Sequence, residues 1–229
     1  MIERPTLEIF DSAEAAAVAA TATIVDHLQA ALVERGAASL GVTGGSSPGP
    51  VYDRLKDAVL DWRHVAITLS DERWVDEASD QSNARLVRER LLVGDAAAAR
   101  FVPLKGEETD LRHAAWSADL RIAGLVPFDI LLLGMGEDGH VASLFPQAPP
   151  PEEAMDPAAA RLVLPVEAAS PAPPQDRLSL TIAAMASAGQ IVILTRGAEK
   201  RRILETGDGL PVHSLISAAR GGVRLIWSA

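Results

Sequence analysis

The chain has 229 residues, no cysteine, 48% hydrophobic residues and a formal charge of -10 at pH 7. That length suits one sizeable α/β domain, and the lack of cysteine excludes a disulfide framework, a thiolate nucleophile and a cysteine metal site. The acidic balance argues against a nucleic-acid partner, which is held by surplus Lys and Arg, but it permits a small anionic ligand met by local cations and backbone N–H groups.

Met1 to Phe10 carries Glu3, Arg4, Pro5 and Glu8 where a signal peptide needs an apolar core. No apolar run is read as reaching the roughly 20 residues of a membrane span, so a cytoplasmic protein with no membrane partner is expected. Asp11 or Ser12 can cap a long alanine-rich helix reaching Arg35, with Gly36 as its stop. A short buried strand, Ser39 to Val42, then opens into Thr43-Gly44-Gly45-Ser46-Ser47-Pro48-Gly49-Pro50, and Val51 to Ala58 reads as helix. His64 to Leu69 is a second strand, ending in Ser70-Asp71-Glu72-Arg73-Trp74-Val75. After the polar stretch Asp76 to Ser82 come a helix over Arg85 to Leu92, an extended Phe101 to Leu104 and a helix over Leu111 to Ala123.

Phe128 to Leu133 is the clearest strand, and it runs into Gly134-Met135-Gly136-Glu137-Asp138-Gly139-His140. Pro149 to Pro151 and Pro171 to Pro174 flank Arg161 to Val166, an expected edge strand, and could form either a lid or surface loops. Leu178 to Ala186 reads as a helix, Gln190 to Leu194 as a buried strand, Ala198 to Glu205 as a helix and Val223 to Trp227 as a last strand. Alternation of this kind predicts an α/β, three-layer αβα fold: one domain with a mostly parallel, Rossmann-like sheet and helices on both faces.

Candidate chemistry gathers at the strand ends. The Thr43 to Gly49 loop offers hydroxyls and backbone donors that suit a phosphate, although it lacks the lysine of a P-loop. Asp71 can accept a proton or a hydroxyl and Arg73 can hold an anion; the alternative is an ion pair between them. Asp138 and His140 are two apart, so in an extended turn their side chains point the same way. A neighbouring carboxylate favours protonated imidazole and burial favours the neutral base. His27 and His113 lie in helix patterns, and no histidine pair has the spacing of zinc ligands, so no metal is expected. Arg177 stands at the start of a predicted helix, and Lys200 is one of few lysines, with Lys56 and Lys105.

Taken together, Gly41-Val-Thr-Gly-Gly-Ser-Ser-Pro48, Ser70-Asp-Glu-Arg-Trp-Val75 with Ser82-Asn83, Gly134 to Pro146, and Arg177-Leu-Ser-Leu180 with Gly197-Ala-Glu-Lys200 resemble the 6-phosphogluconolactonase family. Its superfamily also holds glucosamine-6-phosphate isomerase/deaminase. The resemblance implies hydrolysis of 6-phospho-D-glucono-1,5-lactone in the oxidative pentose phosphate pathway by a monomer, without metal or organic cofactor. It implies that Ser46 and the Gly44-Gly45 backbone hold the phosphate with Arg177 and Lys200. By the same likeness His140 is the general base that activates water, Asp138 orients it, Arg73 supports the substrate or oxyanion, and Asp71 holds hydroxyls. Ser143 lacks a nucleophile elbow, and an activated lactone needs no covalent nucleophile.

This chain departs from the superfamily pattern at two positions. The deaminases carry a glutamate five residues after the histidine, where this chain has Phe145, which cannot do acid–base work. Many lactonases carry a lysine where this chain has Ala172. The alternatives are therefore an amino-sugar phosphate isomerase/deaminase, which Phe145 disfavours, and a sugar-phosphate-sensing module, which would have little need of Asp71, Asp138 and His140 together.

Overall fold

A computed structural model describes residues 5–148, 150–167 and 175–229. Strand β1 (Leu7–Phe10) leads into helix α1 (Ala13–Arg35). The Ser12 hydroxyl accepts the Ala15 amide at the start of α1, and Gly36, at φ 71°, ends it by donating its amide to the Leu32 carbonyl. By length and composition α1 is apolar enough to cross a membrane, contrary to the sequence reading, with a mean hydropathy of 1.4. In the fold that surface packs on the sheet: Ala16, Ala20, Ile24, Leu28 and Ala31 recur at helical spacing and are buried.

The chain continues through β2 (Ala38–Val42), α2 (Gly49–Leu55), β3 (Val65–Leu69), β4 (Asp71–Arg73), α3 (Asn83–Arg90), β5 (Arg100–Val102) and α4 (Leu111–Ile122). Next come β6 (Ile130–Leu133), α5 (Glu152–Met155), β7 (Val163–Val166), β8 (Arg177–Leu180) and α6 (Ile182–Ala186). The last elements are β9 (Gln190–Arg196), α7 (Ala198–Thr206), α8 (Pro211–Ala218) and β10 (Gly222–Ser228).

The main sheet is seven-stranded in the order β1-β10-β9-β6-β2-β3-β5, and every pairing in it is parallel. Strands β2, β3 and β6 are buried along their whole length, as strands covered on both faces must be, so β6 reads Ile-Leu-Leu-Leu without alternation. A three-stranded antiparallel sheet, β4-β8-β7, sits beside it. The expected α/β class with a mostly parallel sheet is the fold observed.

The sequence reading differs from the fold at several elements. Helix α2 stops at Leu55, short of Ala58. The segment after Leu69, read as a strand end, contains β4. Arg177 to Leu180 was expected to begin a helix and is instead β8; helix α6 starts only after Thr181, whose hydroxyl accepts the Ala184 amide. The cause is visible in Arg-Leu-Ser-Leu, which alternates with the period of a strand and pairs on both sides, with β4 and β7. The expected edge strand is β7, at the edge of the smaller sheet. Strand β1 and helices α5 and α8 had no counterpart in the reading. Pro149, Pro171 to Pro174 and Ala172 lie outside the described residues.

One carboxylate ties the β5–α4 connection to the core. Glu108 accepts the Gly106 amide at 3.0 Å and the Arg121 guanidinium at 2.7 Å, while Arg121 also donates to the Leu104 carbonyl. Burial alone would raise the Glu108 carboxyl, but Arg121 and the backbone amides outweigh it and bring it down to about 2. A group depressed in the fold stabilises above its unfolded value near 4.5 and loses that contribution as pH falls toward 2. Glu108→Gln is therefore expected to cost roughly 1–2 kcal/mol at pH 7, with the gap from wild type closing between about pH 4.5 and 2. Urea titrations across that range would show it, and a gap independent of pH would refute it.

Candidate active site

The chain leaves β2 toward β3 and β5 on one side, and leaves β6 toward β9 and β10 on the other. Loops following two such adjacent parallel strands diverge, and the crevice between them at the carboxyl edge is where open α/β sheets bind ligands. A cleft of about 280 Å³ lies there, lined by the glycine loop after β2, the His140 loop after β6, and side chains of β4, β8 and α7.

In the loop after β6, Asp138 Oδ1 accepts from His140 Nδ1 at 2.6 Å and from the His140 amide at 3.2 Å. A carboxylate at Nδ1 takes that nitrogen's proton as a hydrogen bond and leaves Nε2 as the basic nitrogen at the cleft. The loop closes by Gly136 N–H donating to the His140 carbonyl and Gly139 N–H to the Gly136 carbonyl. A Cβ on Gly136 would lie 2.1 Å from His140 Nδ1 and 2.7 Å from Asp138 Oδ1, so only glycine lets the imidazole fold back onto its carboxylate. Ala142, at φ 50°, adopts the left-handed conformation that costs a non-glycine residue roughly 1 kcal/mol, and the turn delivers Ser143 to the interior.

Ser143 donates to Asp71 Oδ2 at 2.6 Å, and Ser70 to Asp71 Oδ1 at 3.0 Å. Asp71, 5% exposed, is thus held by protein hydroxyls from two segments while still lining the cleft. The alternative ion pair between Asp71 and Arg73 does not form among the described residues: Arg73 Nη1 donates to Asn83 Oδ1 at 2.6 Å and to the Gln81 carbonyl at 2.9 Å. Strand alternation puts Asp71 and Arg73 on one face of β4 and Glu72 on the other.

Arg177 stands directly across from Arg73 in the β4–β8 register. Burial and the neighbouring Arg73 pull the Arg177 guanidinium below the usual arginine range; Asp71, 3.9 Å away, opposes this. Its plane lies over the Phe145 ring, 5.2 Å from the centroid, and the same ring meets the His140 imidazole at 4.5 Å. Like charges facing each other across a strand pair repel, so this corner of the cleft favours an anion.

The opposite wall is the glycine loop. Among the described residues, the amides of Gly44, Gly45, Ser46 and Ser47 donate to no protein acceptor. Buried Tyr52 anchors the loop by donating its hydroxyl to the Thr43 carbonyl. A Cβ on Gly44 would lie 1.8 Å from Asn83 Oδ1, so the loop rests directly on Asn83. Lys200, in the first turn of α7, lines the same cleft and forms no ion pair among the described residues.

The fold thus gathers Gly44, Gly45, Ser46, Asp71, Arg73, His140, Arg177 and Lys200 around one cleft, with Asp138 behind the imidazole. Sequence reasoning missed the contacts of Ser143 and Phe145, and it gave Glu72 and Asn83 no role. Among the described residues no group of three or more His, Asp or Glu side chains is placed to hold a metal ion. A larger groove, about 720 Å³, lies at the opposite edge of the sheet. There Arg35 is paired with Asp129, and Arg63 and His64 with Asp61.

Residues 11–217 match the family model described as glucosamine-6-phosphate isomerases/6-phosphogluconolactonase. The chain is 41% identical over 225 residues to a 6-phosphogluconolactonase of Caulobacter vibrioides, covering 97% of each protein. It is 43% identical over 219 residues to one of Pseudomonas aeruginosa, covering 93% of this chain and 91% of the relative. The crystal structure of a 6-phosphogluconolactonase from Shewanella baltica superposes with a TM-score of 0.91 at 34% identity over the whole of both chains.

Gly136→Ala tests the geometry of the histidine loop. It is expected to leave the far-ultraviolet circular dichroism unchanged while removing the deshielded His140 Nδ1–H proton resonance of the wild-type pair. Persistence of that resonance would show that the loop accommodates a Cβ.

Proposed function

The chain belongs to the family of glucosamine-6-phosphate isomerases and 6-phosphogluconolactonases, and on that premise we propose how it hydrolyses 6-phospho-D-glucono-1,5-lactone to 6-phosphogluconate. The protein is an enzyme, similar to the 6-phosphogluconolactonases of Caulobacter vibrioides, Pseudomonas aeruginosa and Shewanella baltica. In this mechanism the substrate phosphate sits against the free amides of Gly44, Gly45 and Ser46, the Ser46 hydroxyl, Arg177 and Lys200. The lactone ring then extends toward His140.

Water is activated by His140 Nε2, which takes its proton as the oxygen attacks the lactone carbonyl. The negative charge that forms on the carbonyl oxygen is met by Arg73, whose guanidinium forms no ion pair among the described residues. Collapse of the tetrahedral species breaks the bond from carbonyl carbon to ring oxygen. The proton held by the imidazole passes to that oxygen, which becomes a hydroxyl of the open-chain acid. Asp138 fixes the tautomer and stabilises the imidazolium between the two transfers. Asp71 accepts sugar hydroxyls with the lone pairs that Ser70 and Ser143 leave free.

The observation that carries this assignment is the 2.6 Å contact between Asp138 and His140 Nδ1, which leaves the other ring nitrogen basic at a cleft that also holds Arg73, Arg177 and Lys200. An aminated sugar needs an acid–base group for ring opening, and the apolar Phe145 in van der Waals contact with His140 cannot supply one. In this proposal the enzyme acts as a monomer in the cytoplasm.

With freshly generated lactone in an assay that separates catalysed from spontaneous opening, His140→Ala should lose the 10²- to 10⁴-fold contribution usual for a general base. Binding of 6-phosphogluconate should survive. Wild-type turnover in that variant would refute the role of His140. Arg177→Ala and Lys200→Ala should raise KM about tenfold or more while kcat changes by no more than about threefold, because phosphate anchors bind ground and transition states alike.

A further inference from the structure

Glu72 is a carboxylate that the mechanism does not use, and at 2% exposed it is among the least accessible charged groups in the molecule. Burial pushes its carboxyl up, and amide donors from two segments oppose that. Oε1 accepts the Arg73 amide at 2.8 Å and the Asn83 amide at 2.8 Å. Oε2 accepts the Ala84 amide at 2.7 Å and the Ser82 hydroxyl at 3.1 Å. One carboxylate therefore joins the backbone of β4 to the first turn of α3.

The first residue of that turn is Asn83, 1% exposed, whose side chain touches every other segment on this side of the cleft. Its Nδ2 donates to the Asp71 carbonyl at 2.9 Å, its Oδ1 accepts from Arg73 Nη1 at 2.6 Å, and Gly44 lies against the same oxygen. Arg73 extends from β4 into the cleft, and among the described residues its guanidinium is held only by Asn83 Oδ1 and the Gln81 carbonyl. The chain of contacts runs from Glu72 through the α3 terminus to Asn83, and from Asn83 to both Arg73 and the glycine loop.

We infer that Glu72 is a positioning residue for the reaction, fixing through Asn83 the direction in which the Arg73 guanidinium enters the cleft. The inference rests on the reading of Arg73 as the group that meets the developing oxyanion. A glutamine at this position has the same size but one acceptor oxygen in place of two. Its amide nitrogen would face donors on one side, and the α3 terminus must move to relieve that. Displacements of about 1 Å at a catalytic group cost on the order of 10²-fold in rate.

The test is a set of double-mutant cycles on the full chain, using Glu72→Gln, Asn83→Ala and Arg73→Ala with freshly generated lactone. Glu72→Gln and Asn83→Ala are each expected to lower kcat about ten- to hundredfold; KM should change less than about threefold in Glu72→Gln and rise further in Asn83→Ala, since the glycine loop rests on Asn83. Adding Arg73→Ala to either should bring kcat no lower than Arg73→Ala alone, because each acts through that guanidinium. A purely structural role for Glu72 would instead reduce the active fraction, and the losses would multiply. Multiplicative losses in the presence of a crippled Arg73→Ala overturn the inference alone; wild-type kcat in Arg73→Ala overturns the role of Arg73 and the inference with it. If Glu72→Gln does not fold, Glu72→Asp, which keeps both acceptor oxygens on a shorter stem, takes its place in the cycle, and multiplicative losses with Arg73→Ala again overturn the inference.

Discussion

Between β2 and β6 the chain departs in opposite directions, and the loops that leave their carboxyl ends cannot close over the gap between them. Every functional feature of the molecule follows from how that gap is furnished. The main sheet alone supplies two walls, a glycine loop with unused amide donors and a histidine loop folded back on its own carboxylate. Of the cations at the cleft it brings Lys200, in the helix that follows β9. The smaller sheet brings Arg73 and Arg177, face to face across β4 and β8.

Such a pair of arginines is unfavourable in the absence of an anion, and the surrounding structure is arranged to bear it. Asp71 lies between the sheets with an oxygen on each of Ser70 and Ser143, close enough to Arg177 to offset its repulsion from Arg73. Phe145 presents its face to Arg177 and a tilted ring to His140. The ring thus separates the cation from the base while touching both. A chain carrying a net charge of -10 thereby maintains a small positive recess, and a dianionic substrate is drawn to that recess in preference to the rest of the surface.

What the sequence made legible was local. Asp138 and His140 stood out because both sit in one glycine-rich turn after an apolar run, where side chains two apart share a direction. Asp71 and Arg73 stood out because they end a strand. Arg177 lines the cleft but was placed on the wrong element: its neighbours Leu178, Leu180 and Ile182 are apolar enough to suit a helix, and the strand period of Arg-Leu-Ser-Leu became decisive only with β4 and β7 on either side. Glu72 and Asn83 gave less away, since a carboxylate between two site residues looks like one more surface charge. A usable signal was nonetheless present in Ser82, whose hydroxyl caps α3 and so marks where a buried carboxylate would find free amides. Phe145 read as an absence, the lack of a glutamate; its packing against both His140 and Arg177 depends on a tertiary arrangement that no local pattern encodes.

The position of β6 in the middle of the main sheet also bears on how the chain comes to be made. Its two partners lie on either side of it in sequence, β2 far upstream and β9 far downstream. During synthesis, Ile130 to Leu133 emerges with one edge able to pair and the other an open apolar ladder until β9 has left the ribosome. Lys200 follows β9 directly, so the stretch of chain that covers this edge also carries one of the cations of the cleft.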